Sequence, residues 1–161
     1  MTPTEPAPVS LLGQREIEAK IVAPLVRAFA AEVGEEKARQ ILAGVIRELA
    51  EQGGCAAAAA VGGTGLAHLK QVVDGWRANG ALELTVLRDD ADAFEFDVTR
   101  CKYAELYHAL GLADLGPLLS CNRDGAMIVG FNPGIAFRRT QTIMQGASHC
   151  DFRYRCGGGS V

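Results

Sequence analysis

The chain has 161 residues, 48% of them hydrophobic and 22% charged, which suits one globular domain with a core large enough to fold unaided. A net charge of −3 without any basic block excludes nucleic acid as the main partner, because phosphate binding needs clustered Lys and Arg. No apolar run approaches the roughly 18 residues of a membrane span, which excludes a transmembrane helix, and no membrane partner is expected.

Aromatics are 6% of the chain, so the core must rest on Ala, Leu, Val and Ile. Met1–Ser10 lacks the apolar segment of a secretory signal. The five cysteines are therefore expected as free thiols in a reducing cytoplasm. None of Cys55, Cys101, Cys121, Cys150 and Cys156 forms a Cys-x-x-Cys pair, so a zinc ribbon is not expected, and no metal or cofactor is called for.

In chain order, the proline-rich residues 1–12 read as a flexible arm, 13–156 as a single domain and 157–161 as a disordered tail. Ile17, Ile21, Val22, Leu25, Val26 and Phe29 recur at helical spacing, with Pro24 kinking that helix or marking its start. Glu35–Gln52 is the strongest helical pattern, with Ala38, Ile41, Leu42, Val45, Ile46 and Leu49 on one face and an acidic first turn. Gly53-Gly54 is expected to break or bend it, and the Ala-rich 55–61 to be helical again. Thr64 is placed to cap a further helix over 65–79, closed by Asn79-Gly80.

The period then changes from helical to alternating. Residues 81–88 and 93–101 read as two strands joined by the Asp89–Asp92 turn, an antiparallel hairpin. Residues 102–110 and 115–131 return to helical spacing. Strands are expected over 135–144 and 149–155, with Gln145-Gly146 turning between them. The order predicts an α+β fold, a small antiparallel sheet from two hairpins covered by N-terminal and central helices.

Reactive side chains concentrate in Ser148-His149-Cys150-Asp151-Phe152-Arg153-Tyr154-Arg155 and in Cys121-Asn122-Arg123-Asp124. Cys121 and Asp124, three apart, share a helix face with Leu118 and Ile128. The ordinary role for such a pair is a buried thiol and a backbone-bonded carboxylate. On the last strand, alternation puts Cys150, Phe152 and Tyr154 on one face and His149, Asp151 and Arg153 on the other. A strand that starts after Cys150 would free His149 to reach the thiol. Asp151 and Arg153 are otherwise a same-face ion pair of little consequence. Arg138-Arg139 with Thr140 and Thr142 offers carboxylate recognition, or else edge-strand charge. His68 and His108 lie in helical patterns and read as surface or satisfied histidines.

Cys121-x-x-Asp124, Gly130-Phe131-Asn132-Pro133, Arg139-Thr140-x-Thr142-Ile143-Met144-x-Gly146 and Cys150-Asp151-Phe152-Arg153, in this order, resemble the L-2-amino-thiazoline-4-carboxylate hydrolase family. Thr99-Arg100-Cys101 and the helix ending at Gly111 fit the same pattern. The resemblance implies hydrolysis of a cyclic isothiourea to an N-carbamoyl amino acid. That chemistry needs a nucleophile or base, a carboxylate for the amidinium and an arginine for the substrate carboxylate. Cys150 or Cys121 is the candidate nucleophile, Asp124 or Asp151 the amidinium partner, His149 the acid/base, and Arg139 or Arg153 the carboxylate anchor, with Asn132 also assigned to substrate binding.

Two other readings stand beside it. In one, Cys101, Cys121, His149 and Cys150 converge on a zinc ion of a metal-dependent hydrolase. The Gly146, Cys150, Phe152 ending also resembles sensor domains of the 4-vinyl-reductase type, which bind a small molecule without turnover. The expected partner is a small-molecule substrate, and the apolar Ala-rich helices offer a surface for a homo-oligomer.

Overall fold

The computed structural model describes residues 8–157. The arm expected over 1–12 therefore falls outside the described residues as far as residue 7, and the tail from residue 158. Helix α1, Leu11–Val33, starts within the span assigned to the arm, with the Ser10 hydroxyl accepting the Gly13 N–H at 3.1 Å as its cap. Pro24 lies inside this helix on its exposed side and does not end it. Gly34, at φ 89°, ends α1 and turns the chain directly into α2, Glu35–Val61.

Gly53-Gly54 does not break α2, which runs unbroken for 27 residues. The reason is tertiary. Gly54 lies where the backbone of α5, Asn122–Phe131, crosses α2. A Cβ there would sit 2.1 Å from the Met127 carbonyl oxygen, and one on Gly130 would sit 1.8 Å from that of Glu51. The pair of glycines permits a backbone-to-backbone approach that outweighs their poor helix propensity.

Helix α3, Leu66–Trp76, is capped by the Gly65 backbone, and the Thr64 side chain makes no cap. It stops before the expected residue 79, where Asn79 (φ 58°) and Gly80 (φ 66°) turn the chain into the sheet. Strands β1, Leu82–Asp89, and β2, Ala93–Cys101, form the expected antiparallel hairpin. Helix α4, Lys102–Ala109, follows, with the Cys101 sulfur accepting its Ala104 N–H at 3.4 Å. A π-helical turn over Pro117–Cys121 leads into α5.

The expected strand over 135–144 is cut short to β3, Ile135–Arg138. The Asp151 carboxylate accepts the N–H groups of Thr140 and Gln141, both at 2.9 Å, and the Thr140 hydroxyl at 2.6 Å, which pulls the chain off the ladder. Thr142 then caps a single turn over Ile143–Gln145. Strand β4, Cys150–Cys156, pairs with both β2 and β3, giving the antiparallel order β1-β2-β4-β3. The fold is α+β, a four-stranded antiparallel sheet with five α-helices among the described residues.

Two apolar clusters make the core. Phe94, Phe96, Phe152 and Tyr154 on the inner sheet face pack with Leu69 and Val73 of α3 and Ile128 and Phe131 of α5. The second cluster joins α1, α2 and α4 through Ala19, Ala23, Leu42, Ile46 and Tyr107. Cys101 and Ile143 pack against both, so the chemistry-bearing cysteines lie at the seam. Among the described residues no helix is long and apolar enough to cross a membrane.

Candidate functional site

A cavity of about 240 Å³ opens at this seam. Its floor is the inner face of the sheet, with Val98, Cys150 and Phe152. Val72 and Trp76 of α3 and Met127 of α5 form apolar walls, and Leu49 and Gly53 of α2 form a solvent-exposed rim. Into these walls the fold sets three thiols, Cys101, Cys121 and Cys150, together with Asp124, Arg139, Arg15 and Arg123. The two candidate nucleophiles, Cys121 and Cys150, line one cavity, and Asp124 lines it with them.

Burial alternates along β4 as its sequence alternates. Cys150, Phe152 and Tyr154 are buried, while Asp151 and Arg153 lie on the half-exposed outer face. Cys121 reaches the cavity from the π-helical turn, a local widening often found at functional sites. Asp124, one helical turn on, shares that face.

Asp124 and Arg139 form a close, part-buried ion pair through Oδ2 and Nη1. Arg139 Nη2 also donates to the Cys121 carbonyl at 3.1 Å. The guanidinium rests against Phe152, 5.4 Å from the ring centre. Burial raises the Asp124 carboxyl to a pKa of about 6 against the opposing pull of Arg139. Burial also raises the thiols, Cys101 to about 11, Cys121 to about 12, and Cys150 upward as well although the Ile143 N–H bonds its sulfur. All three are neutral thiols at neutral pH. Brief alkylation of the native protein at pH 7.5 is accordingly expected to modify the exposed Cys55 and Cys156 first. Peptide mass mapping would read this, and early labelling of Cys150 would contradict the inert environment described.

At the α1 side, Arg15 donates to both carboxylate oxygens of Glu18 at 2.8 Å, and Arg123 Nη2 donates to Glu18 at 2.9 Å. Arg15 and Arg123 belong to the cavity although neither was given a site role, and Cys101, considered only as a zinc ligand, lines it as well. Helical spacing could have flagged Arg15, since it lies four and eight residues before Ala19 and Ala23, which are buried in α1.

Four residues with assigned roles are elsewhere. His149 lies outside the cavity lining, 2.9 Å from Ser148 Oγ through Nδ1 and 3.8 Å from Asp97 through Nε2. Arg153 is held on the outer face by Asp97, at 2.8 Å, and by the Phe96 carbonyl. Burial pushes the Asp151 carboxyl up, but it is occupied by the Thr140 hydroxyl and the N–H groups of Thr140 and Gln141, and these hydrogen bonds bring its pKa down to about 2. Asn132 is occupied too, donating to the Thr64 carbonyl and accepting the Gly134 N–H. Because His149 does not line the cavity, Cys101, Cys121, His149 and Cys150 do not converge as a zinc site would require. Among the described residues no group of three or more His, Cys, Asp or Glu is placed to hold a metal ion. His108 Nε2 lies 3.3 Å from the Met144 carbonyl, whereas His68 is half-buried with its Nδ1 lacking a partner, and so is neither the surface nor the satisfied histidine expected.

The sequence profile of the L-2-amino-thiazoline-4-carboxylic acid hydrolases matches residues 14–154. The chain belongs to this family. The matched span covers every element that lines the cavity except the start of α1. No curated protein matches the sequence. Among solved structures, the phenol-responsive sensory domain of the transcription activator PoxR, determined with phenol, is similar in fold. It has a TM-score of 0.50 and 14% identity, covering 91% of this chain and 72% of that one.

Proposed function

We propose that this protein is a hydrolase that opens a small cyclic amidine or isothiourea bearing a carboxylate, of the kind its family is named for. The observation that carries the reading is the Asp124–Arg139 pair set in a small, otherwise largely apolar cavity. A cavity of about 240 Å³ suits a five-membered ring with one substituent better than a drug-sized molecule. Arg139 has guanidinium N–H groups beyond those given to Asp124 and Cys121, and these can take the substrate carboxylate. Asp124 faces the amidinium.

The reaction then needs one proton relay. Above pH 6 the Asp124 carboxylate is mostly ionised and takes a proton from water as the water oxygen bonds to the ring carbon between sulfur and nitrogen. The carbon–sulfur bond breaks as the carbonyl forms, Asp124 returns its proton to the departing sulfur, the proton that the amidinium carried is released to solvent, and an N-carbamoyl amino acid with a free thiol results. Neutral thiols around the ring favour this acid–base route over attack by a thiolate.

Incubation with L-2-amino-thiazoline-4-carboxylate, followed by mass detection of the N-carbamoyl product, tests the reading. Asp124→Asn is expected to lose about 10²–10⁴-fold in turnover. Cys121→Ser and Cys150→Ser are expected to keep most of it. The wild-type kcat/KM should rise with pH through about 6 and then level, because the base works only when ionised. Full activity in Asp124→Asn would sink the assignment, and loss in Cys150→Ser alone would move it to covalent catalysis. The apolar lining from Val72, Trp76, Leu82 and Met127 favours a second reading, a binding domain for a small aromatic such as the phenol of the PoxR domain. Thermal stabilisation by phenol without any turnover of the cyclic substrate would select it.

A further inference from the structure

Helix α1 carries an unusual outer face. Ile17, Ile21, Leu25, Phe29 and Val33 recur every four residues and are each 49–60% exposed. Helix α2 carries a shorter row of the same spacing, Ile41, Val45 and Leu49, each about half exposed. The two helices form a hairpin joined by Gly34 alone. Leu49 reaches the cavity together with Leu11 and Arg15 of α1, so the α2 row ends beside the start of α1. Scattered exposed apolar residues need no explanation, but rows of this length do.

We propose that the α1–α2 hairpin is a homodimer interface, with the hairpin of a second copy of this chain seated on these rows. Three observations favour that occupant. The first is area. Eight half-exposed large apolar side chains, at roughly 100 Å² each, offer at most roughly 800 Å², of the order one partner gives to a standard specific interface. The second is shape. An uninterrupted row at four-residue spacing is the ridge that packs into the matching groove of another helix of the same kind, and Pro24, Ala28 and Ala31 beside it are small and exposed. The third is charge. Every cation of α1 is already paired, Arg15 with Glu18, Lys20 with Glu16, and Arg27 with Asp114. On α1 no free basic fringe remains for an anionic membrane; on α2 Lys37 and Arg47 stand among Glu36, Glu48 and Glu51, so no surplus of one sign selects a charged protein. A neutral, apolar face is complementary to itself, as a two-fold interface requires. The exposed Leu49–Gly53 rim places the partner next to the cavity mouth, whether or not the cavity is catalytic.

Sedimentation equilibrium of the full chain at tens of micromolar, with vesicles of neutral and of anionic lipid in parallel samples, tests this directly. The expected species has twice the 17.0 kDa chain mass and does not co-sediment with either vesicle. Leu25→Glu with Phe29→Glu is expected to give a monomer with an unchanged far-ultraviolet circular dichroism spectrum. Should that pair fail to fold, Leu25→Ala decides, with an expected weakening of the dimer by at least about tenfold. A wild-type monomer, a dimer unaffected by these changes, or vesicle binding by the monomer would each overturn the proposal. None of these outcomes depends on turnover.

Discussion

Replacing Arg139 by Met is expected to destabilise the protein by about 3–5 kcal/mol at pH 7.5, because it removes the main charge partner of the Asp124 carboxyl inside the cavity wall. The side chains of Arg139 and Asp124 are 15% and 23% exposed, so solvent screens the pair only weakly. The loss should depend on pH in a defined direction. In the wild type, burial lifts Asp124 from 3.8 to about 6 while Arg139 holds it down. Without Arg139 the folded-state pKa rises further. The folded state then binds a proton that the unfolded state releases, so the Asp124 contribution is most favourable below the unfolded value and is lost as pH rises through the folded one. The variant should therefore show a smaller deficit relative to wild type at pH 5.5 than at pH 7.5. Adding Asp124→Leu should recover much of the stability and none of the activity. Equal deficits at both pH values would show that Arg139 acts through packing on Phe152 rather than through charge.

The same pair shows where sequence reasoning reached and where it stopped. The spacing of Cys121 and Asp124 put them on one helix face, and strand alternation turned Cys150 inward, so two elements of the cavity were legible from local periodicity. Arg139 was legible as an anion-binding type, but its partner was not, since Asp124 lies 15 residues away and only the fold joins them. His149 misled although alternation already put it on the face away from Cys150; its acid/base role needed a strand that starts after Cys150, and β4 starts at Cys150 itself. Asp151 misled for another reason. A carboxylate within a reactive-looking cluster can be fully occupied in terminating a neighbouring strand, and here it accepts two backbone N–H groups that β3 would otherwise have extended into the ladder.

The elements themselves were easier to read than their limits. The first hairpin followed from alternation over 81–101, and the helices from their apolar spacing. The end of β3 depended on Asp151, and the start of α1 on Ser10, a cap that the proline-rich neighbourhood disguised. Arg15 entered the cavity unannounced because α1 was read for its apolar stripe, whereas the cavity recruits the polar residue at the helix start.

Gly53-Gly54 was read as an interruption of α2, and its actual role leads to the second large effect. Gly130→Ala is expected to destabilise the protein by about 3 kcal/mol or more, at the upper end of overpacking costs. The added methyl would sit 1.8 Å from the Glu51 carbonyl oxygen and 2.6 Å from its carbon. These are backbone atoms in the middle of a helix, so no side-chain rotation relieves the clash. Helices α2 and α5 must move apart. Because α5 carries Asp124 and α2 carries the cavity rim, the displacement reaches the site, and Gly130→Ala should lose substrate turnover beyond its loss of folded protein. Gly54→Ala meets the Met127 carbonyl oxygen at 2.1 Å and the Phe131 nitrogen at 2.7 Å, so it should behave alike. Gly44→Ala, in the same helix but with nothing within 4 Å of the added carbon, should instead stabilise by about 0.5–1 kcal/mol through helix propensity. Urea melts of the three variants would show opposite signs for chemically identical changes in one packed helix pair. Near-equal midpoints for Gly44→Ala and Gly130→Ala would mean that the α2–α5 crossing is looser than its backbone contacts require, and that the glycines serve only the chain's local conformation.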